Sequence, residues 1–105
     1  MVASTIQERE AVIRQGETEV RRWSGYVETL LHAFRRNDDA PPSLGSKMEE
    51  LRNKRDSVVT KVEALKRHKQ RGWSEARGEL EVARRELKES WRTVIGTLDR
   101  ESLFT

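Results

Sequence analysis

The sequence predicts an all-α protein, an antiparallel three-helix bundle or coiled coil with helices over about residues 4–37, 46–70 and 73–100. Apolar residues recur at steps of three and four, which draws one apolar stripe along each helix. A single segment, 37–46, collects proline, glycine, asparagine and aspartate and interrupts that spacing. The three periodic segments are similar in length, so they can lie side by side and bury their stripes against one another.

The third segment carries the strongest stripe and is the element around which the others are expected to pack. Its charged residues occupy the rest of the helix surface. A stripe of this kind is not stable in water alone, so the first two helices must cover it. Its members are Trp73, Ala76, Leu80, Ala83, Leu87, Trp91, Val94 and Leu98.

The first helix is predicted to start at Ser4 or Thr5, each of which opens a capping-box pattern. A seven-residue repeat typical of a coiled coil then runs along it. Gly16 and Gly25 interrupt this helix, and each is expected to cost about 1 kcal/mol relative to alanine. The repeat is formed by Ile6, Ile13, Val20, Val27 and Phe34.

The second helix is expected to begin at Ser46, because Ser46 and Glu49 form a further capping box after the Pro41–Pro42 break. One apolar seam follows, and Arg55 interrupts it. The members of this seam are Met48, Leu51, Val58, Val62 and Leu65.

Gly72 decides between two architectures. If it adopts a left-handed conformation and Ser74 caps the next helix, the chain forms three rods and a bundle about 50 Å long. Its radius of gyration would then lie a few Å above the roughly 13 Å of a sphere of this length. If the helix instead runs through Gly72, it would extend for about 80 Å, and the chain would be a long two-helix hairpin that dimerises into a helical bundle. The three-helix bundle is the preferred prediction.

Composition limits the classes of function. The 105 residues are expected to form a single helical coiled-coil domain over 1–105, with 37% charged residues, a net charge of +3 and no cysteine. The small basic excess does not single out nucleic acid as a partner. The N-terminus lacks the pattern of a secretory signal, and no apolar run reaches the roughly 20 residues that span a bilayer. A cytoplasmic protein without stable membrane insertion is therefore expected.

No residue pattern indicates catalysis, a metal or a cofactor. His32 and His68 are the only histidines, and neither has a second histidine one turn away. A zinc site needs three or four converging ligands, which this pattern does not provide. Paired carboxylates on slender helices are expected to face water, whereas general acid–base catalysis needs a pocket that shifts a pKa. We therefore predict that the protein is not an enzyme.

One surface is a candidate for contact with a partner. Lys66, Arg67, Lys69 and Arg71 form the densest basic cluster, at the predicted end of the second helix. Cations there are also favourable on structural grounds, because they complement the helix dipole. The candidate surface adds Trp73 and Arg77. All three tryptophans are expected to anchor the core, and Trp73 is the one expected to be partly exposed.

Several of these positions resemble a family of small bacterial coiled-coil domain-containing proteins linked to stress responses. The matched positions are Trp23, the run from Met48 to Asp56, Leu65, Gly72–Trp73, Trp91 and Phe104. The resemblance spans about 80 of the 105 residues. It implies a stress-linked, non-catalytic role, and it transfers no site residues.

The predicted function is a non-enzymatic helical interaction or scaffolding protein that acts through its surface, with a protein partner or self-association as the expected contact. One alternative is a small protein that contacts an anion or nucleic acid through the Lys66–Arg71 cluster. Another is an accessory subunit of a larger assembly.

Overall fold

The computed structural model describes residues 6–36, 42–68 and 72–100, with side chains as far as Leu98. It contains three helices: α1 (Ile6–Arg35), α2 (Pro42–Arg67) and α3 (Trp73–Arg100). The predicted all-α three-helix bundle is confirmed. Ser4, Thr5 and Phe104 lie outside the described residues.

The alternative with a helix continuous through Gly72 is wrong. The second helix ends at Arg67, and Gly72 adopts φ 80°, a left-handed conformation that a glycine reaches without a Cβ penalty. The Gly72 carbonyl accepts a hydrogen bond from the Ala76 amide at 2.9 Å, so Gly72 caps the start of α3. Ser74 was the predicted cap, but it lies within the first turn.

The second helix begins at Pro42 rather than at the predicted Ser46. A proline in the first turn sacrifices no hydrogen bond, and its fixed φ suits the helix, so Pro42 opens the helix that it was expected to precede. The added turn brings Leu44 into the core, where it is fully buried. Burial of a leucine side chain contributes about 1.5–3 kcal/mol, which outweighs the cost of placing Gly45 and Ser46 inside a helix.

One core runs the length of the bundle and follows the predicted seams closely. All five predicted seam residues of α2 are buried, and so is every member of the α3 stripe except Trp91, which is half-buried. The α1 seam is buried only at Val27, and Ile6 is 67% exposed. The first half of α1 is thus its less buried half.

Contacts between side chains show an up-down-up arrangement. Residues 17 and 28 of α1 pair with residues 66 and 55 of α2, and residues 54 and 61 of α2 pair with residues 86 and 79 of α3. Both pairs of neighbouring helices are therefore antiparallel, and α1 and α3 run in parallel. The bundle measures 54 × 18 × 18 Å and has a radius of gyration of 16.5 Å, which agrees with the predicted dimensions.

The helices are not equally spaced. Cα atoms of α2 come within 8 Å of both neighbours, whereas over the described ranges no Cα of α1 lies within 8 Å of one in α3. Large side chains therefore span the seam between α1 and α3. This seam holds three aromatic side chains that contact one another.

Candidate interaction surfaces

Two residues of the predicted contact surface, Lys66 and Trp73, have structural roles within the bundle. Lys66 donates to Glu17 of α1 at 2.7 Å and lies 3.2 Å from Glu63 on its own helix. The hydrogen bond that Lys66 donates to Glu17 is the main reason that the pKa of Lys66 rises above its ordinary 10.5, and the same bond lowers the pKa of Glu17 below 4.5. Lys66 thus fastens α1 to α2 and has less capacity for an external anion.

The prediction that Trp73 is partly exposed is wrong, because only 5% of this residue is accessible. The left-handed Gly72 turns the chain just before α3, and the first residue of that helix is directed into the core. Within the described part of the chain, Trp73 Nε1 is buried without a hydrogen-bond acceptor. A buried donor left unpaired costs about 1–3 kcal/mol, which the burial of the large indole offsets.

Two of the remaining predicted contact residues are accessible to a partner. Arg67 at the end of α2 and Arg77 on α3 are exposed. Lys69 and Arg71 lie outside the described residues. Anion binding by the cations of this cluster stays a prediction.

Three aromatic side chains form a cluster at the seam between α1 and α3, which we call the open seam. The ring centroids of Trp23 and Trp91 are 5.5 Å apart, with the planes at 78°, which is an edge-to-face contact between α1 and α3. Tyr26 lies 5.8 Å from Trp23 and 6.0 Å from Trp91. Such pairs stabilise by about 0.5–1.5 kcal/mol beyond the area that they bury. We call Trp23, Tyr26 and Trp91 the aromatic face.

The aromatic face is only partly covered. Tyr26 is 49% exposed, and Trp23 and Trp91 are half-buried. The tryptophans bridge the wide spacing between α1 and α3, and Tyr26 lies over them on the solvent side. About half of the Tyr26 side chain is in contact with solvent, so the aromatic face leaves apolar area available to a partner.

Beyond the aromatic face, Arg84 links α1 to α3 and pairs with two glutamates, Glu19 and Glu81. Arg84 of α3 donates to Glu19 of α1 at 2.6 Å and also pairs with Glu81 on its own helix. Only 16% of the Arg84 side chain is exposed, and its Nη2 has no acceptor among the residues described. Glu19 and Glu81 are thus committed to a cation that belongs to the fold.

Exposed cations flank the aromatic face. Arg22 lies four residues before Tyr26, and Lys88 lies three residues before Trp91, so each shares a helix face with an aromatic residue. Arg92 lies one turn beyond Lys88. None of these three side chains pairs with an acid in the described portion of the chain. The open seam is therefore aromatic and positively charged.

Sequence reasoning identified two of the three aromatic residues and assigned them to the core. Tyr26 was missed, although its place three residues after Trp23 would have put both rings on one side of α1. The proximity of Trp91 depends on how α1 and α3 pack, which the spacing along either helix does not determine.

A shallow groove of about 500 Å³ lies between α2 and α3. It exists because Gly78 contributes no side chain, and Val82 at its edge is 48% exposed. Lys61 spans it to reach Glu79 at 3.9 Å, and Glu75 and Glu86 add negative charge. Next to it, Lys54 donates a hydrogen bond to Glu86, which raises the pKa of Lys54 above 10.5. These shifted pKa values all belong to ion pairs between helices.

Neither histidine lies in a group of metal-ligating side chains within the described ranges. His32 and His68 are both exposed. No group of three His, Cys, Asp or Glu side chains within 6–36, 42–68 and 72–98 is arranged to hold a metal ion. In the same ranges, every helix is too polar to cross a lipid bilayer.

Comparison with known proteins identifies no relative: no family model, curated protein or solved structure matches this chain. The resemblance to the bacterial coiled-coil family stays a prediction.

Proposed function

We propose that this protein is a non-enzymatic, cytoplasmic interaction module that binds a protein partner through the aromatic face. A single observation carries the proposal: Tyr26 stays 49% exposed on top of two half-buried tryptophans. Aromatic residues are enriched at protein interfaces because they bring large contact area at a small entropic cost. The stress-associated role rests on the family resemblance alone and is a secondary part of the proposal.

The position of the aromatic face on the scaffold supports this function. Rings held against one another by edge-to-face contacts have little freedom left to lose when a partner binds. The face lies on two long helices rather than on a loop, so its shape is defined before binding. Scaffolding or accessory-subunit roles would both use such a surface. The rival Lys66–Arg71 cluster has less support, because Lys66 is already paired.

Site-specific photocrosslinking tests the proposal in the cells that normally contain the protein. A photoreactive phenylalanine analogue replaces Tyr26 in one variant and Val82 in a control. The control is closely matched, because Val82 is 48% exposed and lies beside the groove between α2 and α3. We expect discrete adducts from position 26 and none from position 82, with the adduct identified by mass spectrometry.

Binding of the identified partner is then measured with purified proteins. Tyr26→Ser should weaken binding, whereas Val82→Ser should leave it unchanged. Tyr26→Ser should also lower Tm, because it loses two ring contacts, so circular dichroism verifies that both variants are folded at the temperature of the binding measurement. The proposal fails if position 26 gives no adduct. It fails equally if positions 26 and 82 give the same adducts.

A further inference from the structure

We infer that the open seam between α1 and α3 is a docking site for an acidic amphipathic helix of a partner protein, which would complete the bundle as a fourth helix. The inference rests on the proposed function and adds to it the chemistry and the shape of the partner. Three observations support it: the spacing of the helices, the apolar floor of the seam, and the charge at its edges.

The spacing leaves a place for another helix. The first and third helices are held apart, with no Cα of α1 within 8 Å of α3 in the described ranges, while α2 approaches both. In a bundle where every helix touches every other, all three seams would be closed. Here one seam, between two parallel helices, is bridged only by side chains.

The floor of the seam has the chemistry that an amphipathic helix requires. The exposed ring of Tyr26 lies beside Trp23 and Trp91, and Ile95 lies one turn beyond Trp91 and is half-buried. From Glu19 to Leu30 the α1 side is twelve residues long, so the seam is about 18 Å in length. A helix of three to four turns with apolar residues at i, i+3, i+4 and i+7 matches this length.

The charge at the edges selects the partner. Arg22 flanks the seam on α1, and Lys88 and Arg92 flank it on α3, all exposed and without an ion pair to a described residue. The nearest acids of the fold, Glu19 and Glu81, are held by Arg84. A partner with glutamate or aspartate beside its apolar stripe meets three cations. A second copy docked by the same face would place these cations against their own counterparts, which is unfavourable.

The test uses two synthetic peptides of about 18 residues with the same apolar stripe and no tryptophan. One peptide carries glutamate on both sides of the stripe and the other carries lysine. Binding to the full chain is measured by calorimetry and by the tryptophan emission at low and at physiological salt. We expect the glutamate peptide to bind at least about tenfold more tightly, with an affinity that falls as salt rises.

Charge reversal provides the decisive comparison. The triple variant Arg22→Glu, Lys88→Glu and Arg92→Glu should invert the preference and bind the lysine peptide. A control variant, Arg14→Glu, Arg52→Glu and Arg67→Glu, changes net charge equally at three exposed cations elsewhere. The control should keep the original preference. Circular dichroism verifies that both variants remain helical.

Several outcomes overturn the inference. Binding of neither peptide, equal binding of both, or loss of binding in the control but not in the seam variant would each do so. A dimer in solution that dissociates in the seam variant would show that a second copy occupies the seam. If position 26 crosslinks a partner that has no acidic helix, this inference fails and the proposed function stands.

Discussion

Gly16 is a residue whose substitution tests the packing of α1 against α2 directly. It is buried, and a Cβ added there would lie 3.0 Å from Cγ2 of Val62. Val62 is 2% exposed and β-branched, so its side chain cannot rotate away easily. Alanine would gain about 1 kcal/mol in helix propensity, but overpacking a closed core costs about 1–3 kcal/mol. We expect Gly16→Ala to lower the free energy of unfolding by about 1 kcal/mol.

Gly25 provides the matched control on the same helix. It is exposed, and nothing lies within 4 Å of an added Cβ. Gly25→Ala should therefore stabilise the protein by about 0.5–1 kcal/mol through helix propensity alone. The two variants should differ by about 2 kcal/mol, which for a domain of this size is roughly 10 °C in Tm.

Thermal and urea unfolding followed by far-ultraviolet circular dichroism measure this difference. A double-mutant cycle with Val62→Ala then isolates the contact, because removing the valine methyl groups makes room for the new Cβ. Gly16→Ala should become stabilising in that background. If Gly16→Ala raises Tm as much as Gly25→Ala does in the parent protein, then α1 does not pack against Val62 as described, and the reasoning is refuted.

Three further predictions concern the chain reversal, the buried indole and the ion pair between α1 and α2. Gly72→Ala should destabilise the protein by about 1–2 kcal/mol, because φ 80° is unfavourable for alanine and the new Cβ would lie 3.0 Å from Nδ1 of His68. An unchanged midpoint of urea unfolding would contradict this prediction. Trp73→Phe should change the free energy of unfolding by less than about 1.5 kcal/mol, because removing a buried N–H without an acceptor offsets the loss of packed volume. Truncation of a buried tryptophan to alanine costs roughly 3–5 kcal/mol, and a loss that large in Trp73→Phe would show that the N–H is paired. The pair of Glu17 and Lys66 should stabilise the fold between pH 4.5 and 10.5. Below that range the contribution disappears as the pH falls through the lowered pKa of Glu17, and above it as the pH rises through the raised pKa of Lys66. The Tm difference between the parent protein and Glu17→Gln should therefore be constant inside the window and shrink outside it, and a difference that does not vary with pH would argue against the pair.

The seams of α2 and α3 could be predicted from the sequence because burial there follows helical periodicity, which is local information. Leu80 and Leu87 lie on an apolar stripe, so they had to be buried against another helix, whichever helix that was. The start of α2 could not be placed in this way, because the Pro41–Pro42 pair is compatible both with a break and with a helix opening at its second member. Burial of Leu44 favours the second outcome, and that burial depends on tertiary packing.

The contact surface was harder to predict for the same reason. Lys66 was assigned to a basic cluster by its neighbours in sequence, but in three dimensions its nearest charge is Glu17 on another helix. Trp73 was assigned to a corner, but the direction of an indole there depends on the backbone of Gly72. Tyr26 was passed over because its significance arises only when α3 brings Trp91 beside it. Local pattern identifies the residues that must be buried, and it does not say which charges or rings meet.

The uneven spacing of the helices also has a consequence for how the molecule comes apart. The second and third helices contact each other more extensively than α1 contacts α2, and side chains alone link α1 to α3 in the described ranges. The α2–α3 hairpin, joined by a short connection, is therefore the more cooperative unit, and α1 is the helix that costs least to release. Detachment of α1 would expose the side of the α2–α3 core that Val27, Leu30 and Leu31 cover. The helix that carries Tyr26 is thus also the one that another helix would most easily displace from the α2–α3 hairpin.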